Sequence, residues 1–123
     1  MKRYDSTKDT RSPMLIFTLK KEWYNKIATG QKSIEYREVK PYWTKRFDKL
    51  LDRATLALWG SYFEDDSRPS CYLQLGYNPE TRMIAKIKKI EVVDGKNTDL
   101  AIDKPVYAIY LENVEKLLPL EAL

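Results

Sequence analysis

No histidine occurs among the 123 residues of this chain, and that absence removes more chemistry than any other. Ser-His-Asp and Cys-His catalysis, histidine-built zinc sites and paired-histidine phosphoester cleavage all need an imidazole. Acid–base work then falls to Lys, Glu, Asp or Tyr with a pKa moved by its surroundings. The single cysteine, Cys71, allows no internal disulfide and no cysteine-rich metal site, which fits a reducing compartment. It has no basic neighbour in sequence and reads as a small buried apolar residue. The longest apolar stretches, Met14 to Leu19 and Val106 to Leu111, fall far short of the roughly 20 residues that span a bilayer. The polar start, residues 1–13, has no apolar signal region and is expected to be a flexible lead-in. These absences point to a cytoplasmic protein with no membrane, metal or cofactor.

Glycine is also scarce, with 4 residues, proline is not abundant, with 6, and 43% of the chain is apolar and 33% charged. That mixture belongs to folded globular chains, and the length suits one domain, expected over residues 14–123. The net charge of +4 is unevenly spread. Residues 1–53 carry 14 basic against 7 acidic residues, a net +7, and the remainder carries 8 against 11, a net −3. An N-terminal basic surface suggests an anionic partner, nucleic acid or nucleotide ahead of membrane, although charge alone also serves solubility.

Short apolar and alternating runs set the expected elements. Met14 to Leu19 reads as a buried first strand after Ser12-Pro13. From Lys21 to Thr29, Trp23/Ile27 and Tyr24/Ala28 recur at helical spacing, with Gly30 as the C-terminal cap. Lys32 to Glu38 alternates as a second strand, Ile34 and Tyr36 on one face and Ser33, Glu35 and Arg37 on the other. Pro41 opens a second helix with an apolar stripe of Trp43, Phe47, Leu50 and Leu51 beside a basic stripe of Tyr42, Arg46, Lys49 and Arg53. Further strands are expected over Ala54 to Gly60, Cys71 to Tyr77, Arg82 to Val93 and Val106 to Val114, with a polar loop over Tyr62 to Ser70 and a turn at Asn78 to Thr81. In Arg82 to Val93 the apolar parity changes midway, as a bulge requires. The expected class is α+β, a small curved, β-barrel-like sheet with two early helices packed on it.

Two segments carry charge in a pattern that suits a site. Glu35 and Arg37, two apart, share a strand face near Lys32. They form either a surface ion pair worth about 0 to 1 kcal/mol or part of a polar cleft. In a cleft, desolvation and the nearby Arg37 disfavour the charged form of Lys32 and Glu35 opposes them. If Glu35 pairs with Arg37, Lys32 is free to act as base or nucleophile. If Glu35 pairs with Lys32, both are fixed as charged groups that bind. The stripe Tyr42, Arg46, Lys49 and Arg53 is either a solvated helix face or a phosphate-tracking edge with Tyr42 to stack on a base. Trp43 reads as core, with the cleft mouth as its alternative. Tyr77-Asn78 and Asp65-Asp66 read as turn and loop residues.

The run Gly30-x-Lys32-x-x-Glu35-x-Arg37, preceded by an apolar strand and a helix holding Trp23 and Ile27, resembles the signature of ASCH domains of the PUA-like superfamily over about residues 14 to 47. The resemblance implies a PUA-like pseudo-barrel whose cleft is lined by signature residues, in a family associated with RNA binding and with processing of modified nucleobases. On it, Lys20, Lys32, Glu35 and Arg37, with Tyr42, Arg46 and Lys49, form the expected ligand-binding set for RNA or a nucleotide. Some ASCH proteins are similar to compact amidohydrolases of acetylated cytidine that use a Lys, a Thr and a Glu. Lys32 falls on that lysine and is the catalytic candidate if the chain is a hydrolase. Glu35 holds the threonine position, and Glu64, Glu80, Glu91 and Glu112 carry no local motif for the glutamate. A protein-interaction module on the same scaffold is the other alternative.

Overall fold

A computed structural model of the chain describes residues 14–53 and 68–117, with side chains of the second helix described as far as Leu50. The expected lead-in over 1–13, the strand over 54–60, most of the loop over 62–70 with Glu64 and Asp65-Asp66, and the side chains of Leu51 and Arg53 lie outside these residues. Among the described residues no helix is long and apolar enough to cross a membrane.

The elements run β1 (Leu15–Leu19), α1 (Lys21–Ala28), β2 (Ile34–Glu38), α2 (Pro41–Arg53), β3 (Ser70–Leu75), β4 (Met83–Asp94) and β5 (Pro105–Lys116). The fold is α+β, and its described strands form one mixed sheet in the order β1-β3-β4-β5-β2. Among the described strands only β1 and β3 pair in parallel, Leu15 opposite Cys71 and Leu19 opposite Leu75. The sheet is open rather than a closed barrel: β1 and β2 are its two edges, and no strand pairing joins them among the described residues.

Local chemistry accounts for most boundaries. β1 alternates, with Leu15, Phe17 and Leu19 buried and Ile16 and Thr18 exposed. α1 ends where Gly30 adopts φ +84°, a conformation that costs glycine little, and the Gly30 N–H donates to the Ile27 carbonyl at 3.1 Å. β3 stops two residues earlier than expected because Gly76 takes φ +55° and turns the chain. Asn78 Oδ1 then accepts the Glu80 N–H at 3.0 Å and opens a single 3₁₀ turn over Pro79–Thr81.

The parity change in β4 is a register slip. Ile87 lies opposite Leu111 but Lys89 lies opposite Tyr110, so Lys88 is an extra residue and the inward set passes from Met83, Ala85 and Ile87 to Ile90. Val92, apolar and in the same run, is exposed. A second slip falls on β5, where Ile84 pairs Glu115 and Lys86 pairs Glu112. Asn113 within it adopts φ +54°, which asparagine tolerates better than most residues. Bulges increase local twist, and the two long central strands bend.

The core is built around Phe17, Ile27, Phe47, Leu73, Met83, Ile87, Ile90 and Ile109, which are at most 2% exposed. Trp43 packs against it, its ring 5.0 Å from Phe17 and 5.6 Å from Phe47. A hydrogen bond of 2.6 Å between the Thr44 and Tyr107 hydroxyls fastens α2 to β5.

Cys71 is wholly buried. Burial first, and the Glu35 charge second, push its thiol from the ordinary 9.0 up to about 12. The folded state therefore favours the neutral thiol. The resulting stability is fully present below about pH 9 and is lost as pH rises toward about 12. Urea titrations are expected to show wild type losing stability over this window more steeply than Cys71→Ala. Equal slopes would remove Cys71 from the alkaline limb.

Candidate functional site

β2 carries its charged residues inward. Glu35 lies opposite Ile109 and Arg37 opposite Tyr107, both core positions, while Ile34 and Tyr36 take the other face, half-buried. A carboxylate so enclosed needs partners, and Glu35 has two. Its Oε2 accepts from Arg37 Nε at 3.0 Å and lies 2.8 Å from Arg37 Nη2, while its Oε1 lies 3.4 Å from Lys32 Nζ. Glu35 thus pairs with both cations through different oxygens.

The series continues at both ends. Lys32 Nζ donates to the Ile34 carbonyl at 2.5 Å and to Asp99 Oδ2, and its ion pair with Glu35 adds a third oxygen neighbour. The rings of Tyr36 and Trp23 stand 5.0 and 5.5 Å from Nζ. Burial first, and the Asp99 charge second, push the Tyr36 phenol up. At the other end Arg37 Nη2 donates to the Thr18 carbonyl of β1 at 2.8 Å, and its guanidinium lies 5.3 Å from the rings of Phe17 and Trp43. Asp99, Lys32, Glu35 and Arg37 alternate in sign, and the last of them ties the two sheet edges together through a side chain. The side chains of Lys32, Glu35 and Arg37 are 9%, 8% and 19% exposed.

α2 supplies a second constellation. A groove of about 640 Å³ runs between Met14, Leu15 and Ile16 on one side and Tyr42, Trp43, Lys45, Arg46, Lys49 and Leu50 on the other. Three cations and two aromatic rings line it. The Arg46 guanidinium lies 3.5 Å from the Tyr42 ring centroid and Nη1 donates to the Tyr42 carbonyl at 2.8 Å. The Tyr42 ring in turn meets Trp43 edge-on at 4.9 Å.

The expected site residues therefore fall into two groups, Lys32/Glu35/Arg37 and Tyr42/Arg46/Lys49, linked through Trp43, which meets both Arg37 and Tyr42. Lys20 joins neither: it is exposed at the β1–α1 junction, where its side chain makes no cap hydrogen bond. Asp99 was not foreseen. Its loop has no periodic pattern, and it meets Lys32 from 67 residues away. Lys45, one position outside the expected stripe, also lines the groove; a helix presents i and i+4 neighbours together, so Pro41 to Lys49 carried that signal. Among the described residues no cluster of three or more His, Cys, Asp or Glu is placed to hold a metal ion. Compared with known proteins, the chain matches no family model, no curated protein and no solved structure.

Proposed function

We propose that this chain is an ASCH-type module that binds RNA or a nucleotide, with the phosphates running in the groove between β1 and α2. The observation that carries the reading is the lining of that groove, in which Lys45, Arg46 and Lys49 stand beside Tyr42 and Trp43. Cations neutralise phosphates and aromatic faces stack on bases of any sequence, the combination by which single strands are held. Its volume of about 640 Å³ lies within the usual range for a small-ligand site. Lys32, Glu35 and Arg37 act as its support: the ladder fixes Arg37, and Arg37 backs Trp43.

Lys32 favours this reading over amide hydrolysis of acylated nucleosides. A base or nucleophile needs a free lone pair, and Lys32 Nζ is engaged by the Ile34 carbonyl, Asp99 and Glu35. The protein-interaction alternative draws on a different observation, that β1 is a sheet edge bordering the groove, where an extended peptide could add as a strand.

Fluorescence anisotropy with a labelled single-stranded RNA, repeated across salt concentrations, tests the proposal. Wild type is expected to bind with affinity that falls linearly in log–log form, and Arg46→Ala/Lys49→Ala to flatten the slope by about 0.7 per lost phosphate contact. Binding with an unchanged slope in the double variant, or no binding at low salt, would reject it.

A further inference from the structure

The turn between β3 and β4 ends in an aromatic ring that packing does not explain. Tyr77 is 93% exposed, more than any other large apolar or aromatic side chain among the described residues. The turn beneath it is firmly held. The Gly76 N–H donates to the Leu19 carbonyl at 3.0 Å, and Gln74 Nε2 donates to the Gly76 carbonyl at 2.8 Å. The Asn78 N–H donates to the Leu75 carbonyl at 3.2 Å, and Thr81 Oγ1 accepts the Leu75 N–H at 2.9 Å. Folding gains no apolar burial from the ring. A ligand that stacks on it gains that contact without ordering the backbone, because the turn is already rigid.

Parallel pairing supplies the neighbours. β1 and β3 run in the same direction with Leu19 opposite Leu75, so Lys20 and Tyr77 leave the sheet at the same end. Lys20 is exposed and forms no ion pair among the described residues, and Lys21 follows it. Of the acidic residues close by, Glu22 lies 3.7 Å from Lys26, and Glu80 sits in the turn. β1 connects this end to the groove. Its first residues line the groove, Thr18 takes the Arg37 guanidinium, and from Leu15 to Leu19 the strand rises about 13 Å.

We infer that Tyr77 and Lys20 form a second contact point for the RNA strand held in the β1–α2 groove, Tyr77 stacking on an unpaired base and Lys20 meeting a phosphate. The inference rests on the RNA-binding reading and adds a direction, along β1 from α2 to the β3–β4 turn. It also predicts a dependence on length. An oligonucleotide filling the groove alone cannot reach Tyr77.

The test is anisotropy with fluorescein-labelled oligouridylates of about 3 and about 12 nucleotides, lengths on either side of the shortest usual single-strand site. Tyr77→Ala is expected to weaken the longer probe by about 5- to 150-fold, the effect of removing one stacked base. Tyr77→Phe should bind it as wild type does, and neither variant should change the shorter probe. Lys20→Ala should flatten the salt slope for the longer probe by about 0.7. If Tyr77→Ala leaves the longer probe unchanged while Arg46→Ala/Lys49→Ala weakens it, the second contact is overturned and the groove reading stands. Equal weakening of both probes by Tyr77→Ala also overturns it, and a wild type that binds neither probe overturns both readings. Tyr77 is almost wholly exposed, so its variants keep the fold.

Discussion

Glu35→Ala is expected to lower unfolding stability by about 3–5 kcal/mol, the usual result of removing one partner from a buried ion pair, which for a chain of this size is a fall in Tm on the order of 10–20 °C. The charge arithmetic around the site sets the size. Among the described residues Glu35 is the carboxylate that Lys32 and Arg37 share, 3.4 Å from the first and 2.8 Å from the second. Without it, among the described residues, Arg37 keeps the Thr18 carbonyl and its ring neighbours, and Lys32 keeps Asp99 and the Ile34 carbonyl. Two largely buried cations then lose the carboxylate they share. Glu35→Gln, which keeps the shape and one acceptor, is expected to lose less. Removing all three charges as Lys32→Met/Glu35→Leu/Arg37→Met should restore much of the loss, because buried ion networks replaced by apolar groups of similar size are often neutral or better. Urea denaturation of the three variants gives the order directly. A Glu35→Ala protein as stable as wild type, or a triple variant less stable than the single one, would contradict the ladder.

The second large effect belongs to a glycine with an ordinary φ. A methyl group at Gly95 would stand 2.6 Å from the Lys104 carbonyl oxygen, 2.8 Å from that of Ile102 and 2.8 Å from Val106 Cγ1. Two of the three obstacles are backbone and cannot rotate away. The same backbone is hydrogen-bonded to Gly95, whose N–H donates to Lys104 at 2.8 Å and whose carbonyl accepts from Ile102 at 3.2 Å. Gly95→Ala must therefore push the 95–104 loop outward, at about 1–3 kcal/mol for overpacking plus about 0.5–1.5 kcal/mol for each bond stretched or lost. The consequence reaches the site, because Asp99 lies in that loop and holds Lys32. Thermal unfolding should show a loss of about 2–4 kcal/mol, and hydrogen exchange should show faster exchange at the Gly95 and Ile102 amides. Unaltered exchange at both positions would mean that the loop accommodates the methyl group.

Both variants test contacts of different sequence reach, and that difference separates what the chain spells out from what folding adds. The α1 stop was legible in Gly30, because a glycine after a helical stripe points to a left-handed cap. The α2 stripe was legible in Trp43, Phe47 and Leu50, spaced as a helix demands, and Phe47 and Leu50 are buried with Trp43 packed on them. The β4 bulge was legible as a break in parity, since a side-chain period of two cannot change phase without an extra residue. All three are local rules, written within about a dozen residues.

The alternation of β2 was legible too, but not which face turned inward. Ile34 and Tyr36 resemble the core side by composition, yet Glu35 lies against Ile109 and is buried. A strand's period fixes only that one set faces in. Which set does so depends on the register with β5 and on finding partners for the charges. Nor did spacing distinguish Lys32 from Arg37 as the mate of Glu35, because two oxygens serve both.

By itself the sequence determined the α+β class, the positions of β1, α1, β2, α2 and the curved β4, the basic face of α2, and the grouping of Lys32, Glu35 and Arg37, since each follows from periodicity, caps or proximity along the chain. Tertiary structure alone decided that the sheet stays open with β1 and β2 at its edges, that Arg37 reaches Thr18 across them, that Asp99 completes the shell of Lys32, and that Tyr77 stands at the same end as Lys20. The reason is physical: long-range pairing is settled by the joint burial of apolar surface and the mutual satisfaction of buried charges, and neither quantity exists until the distant segments meet.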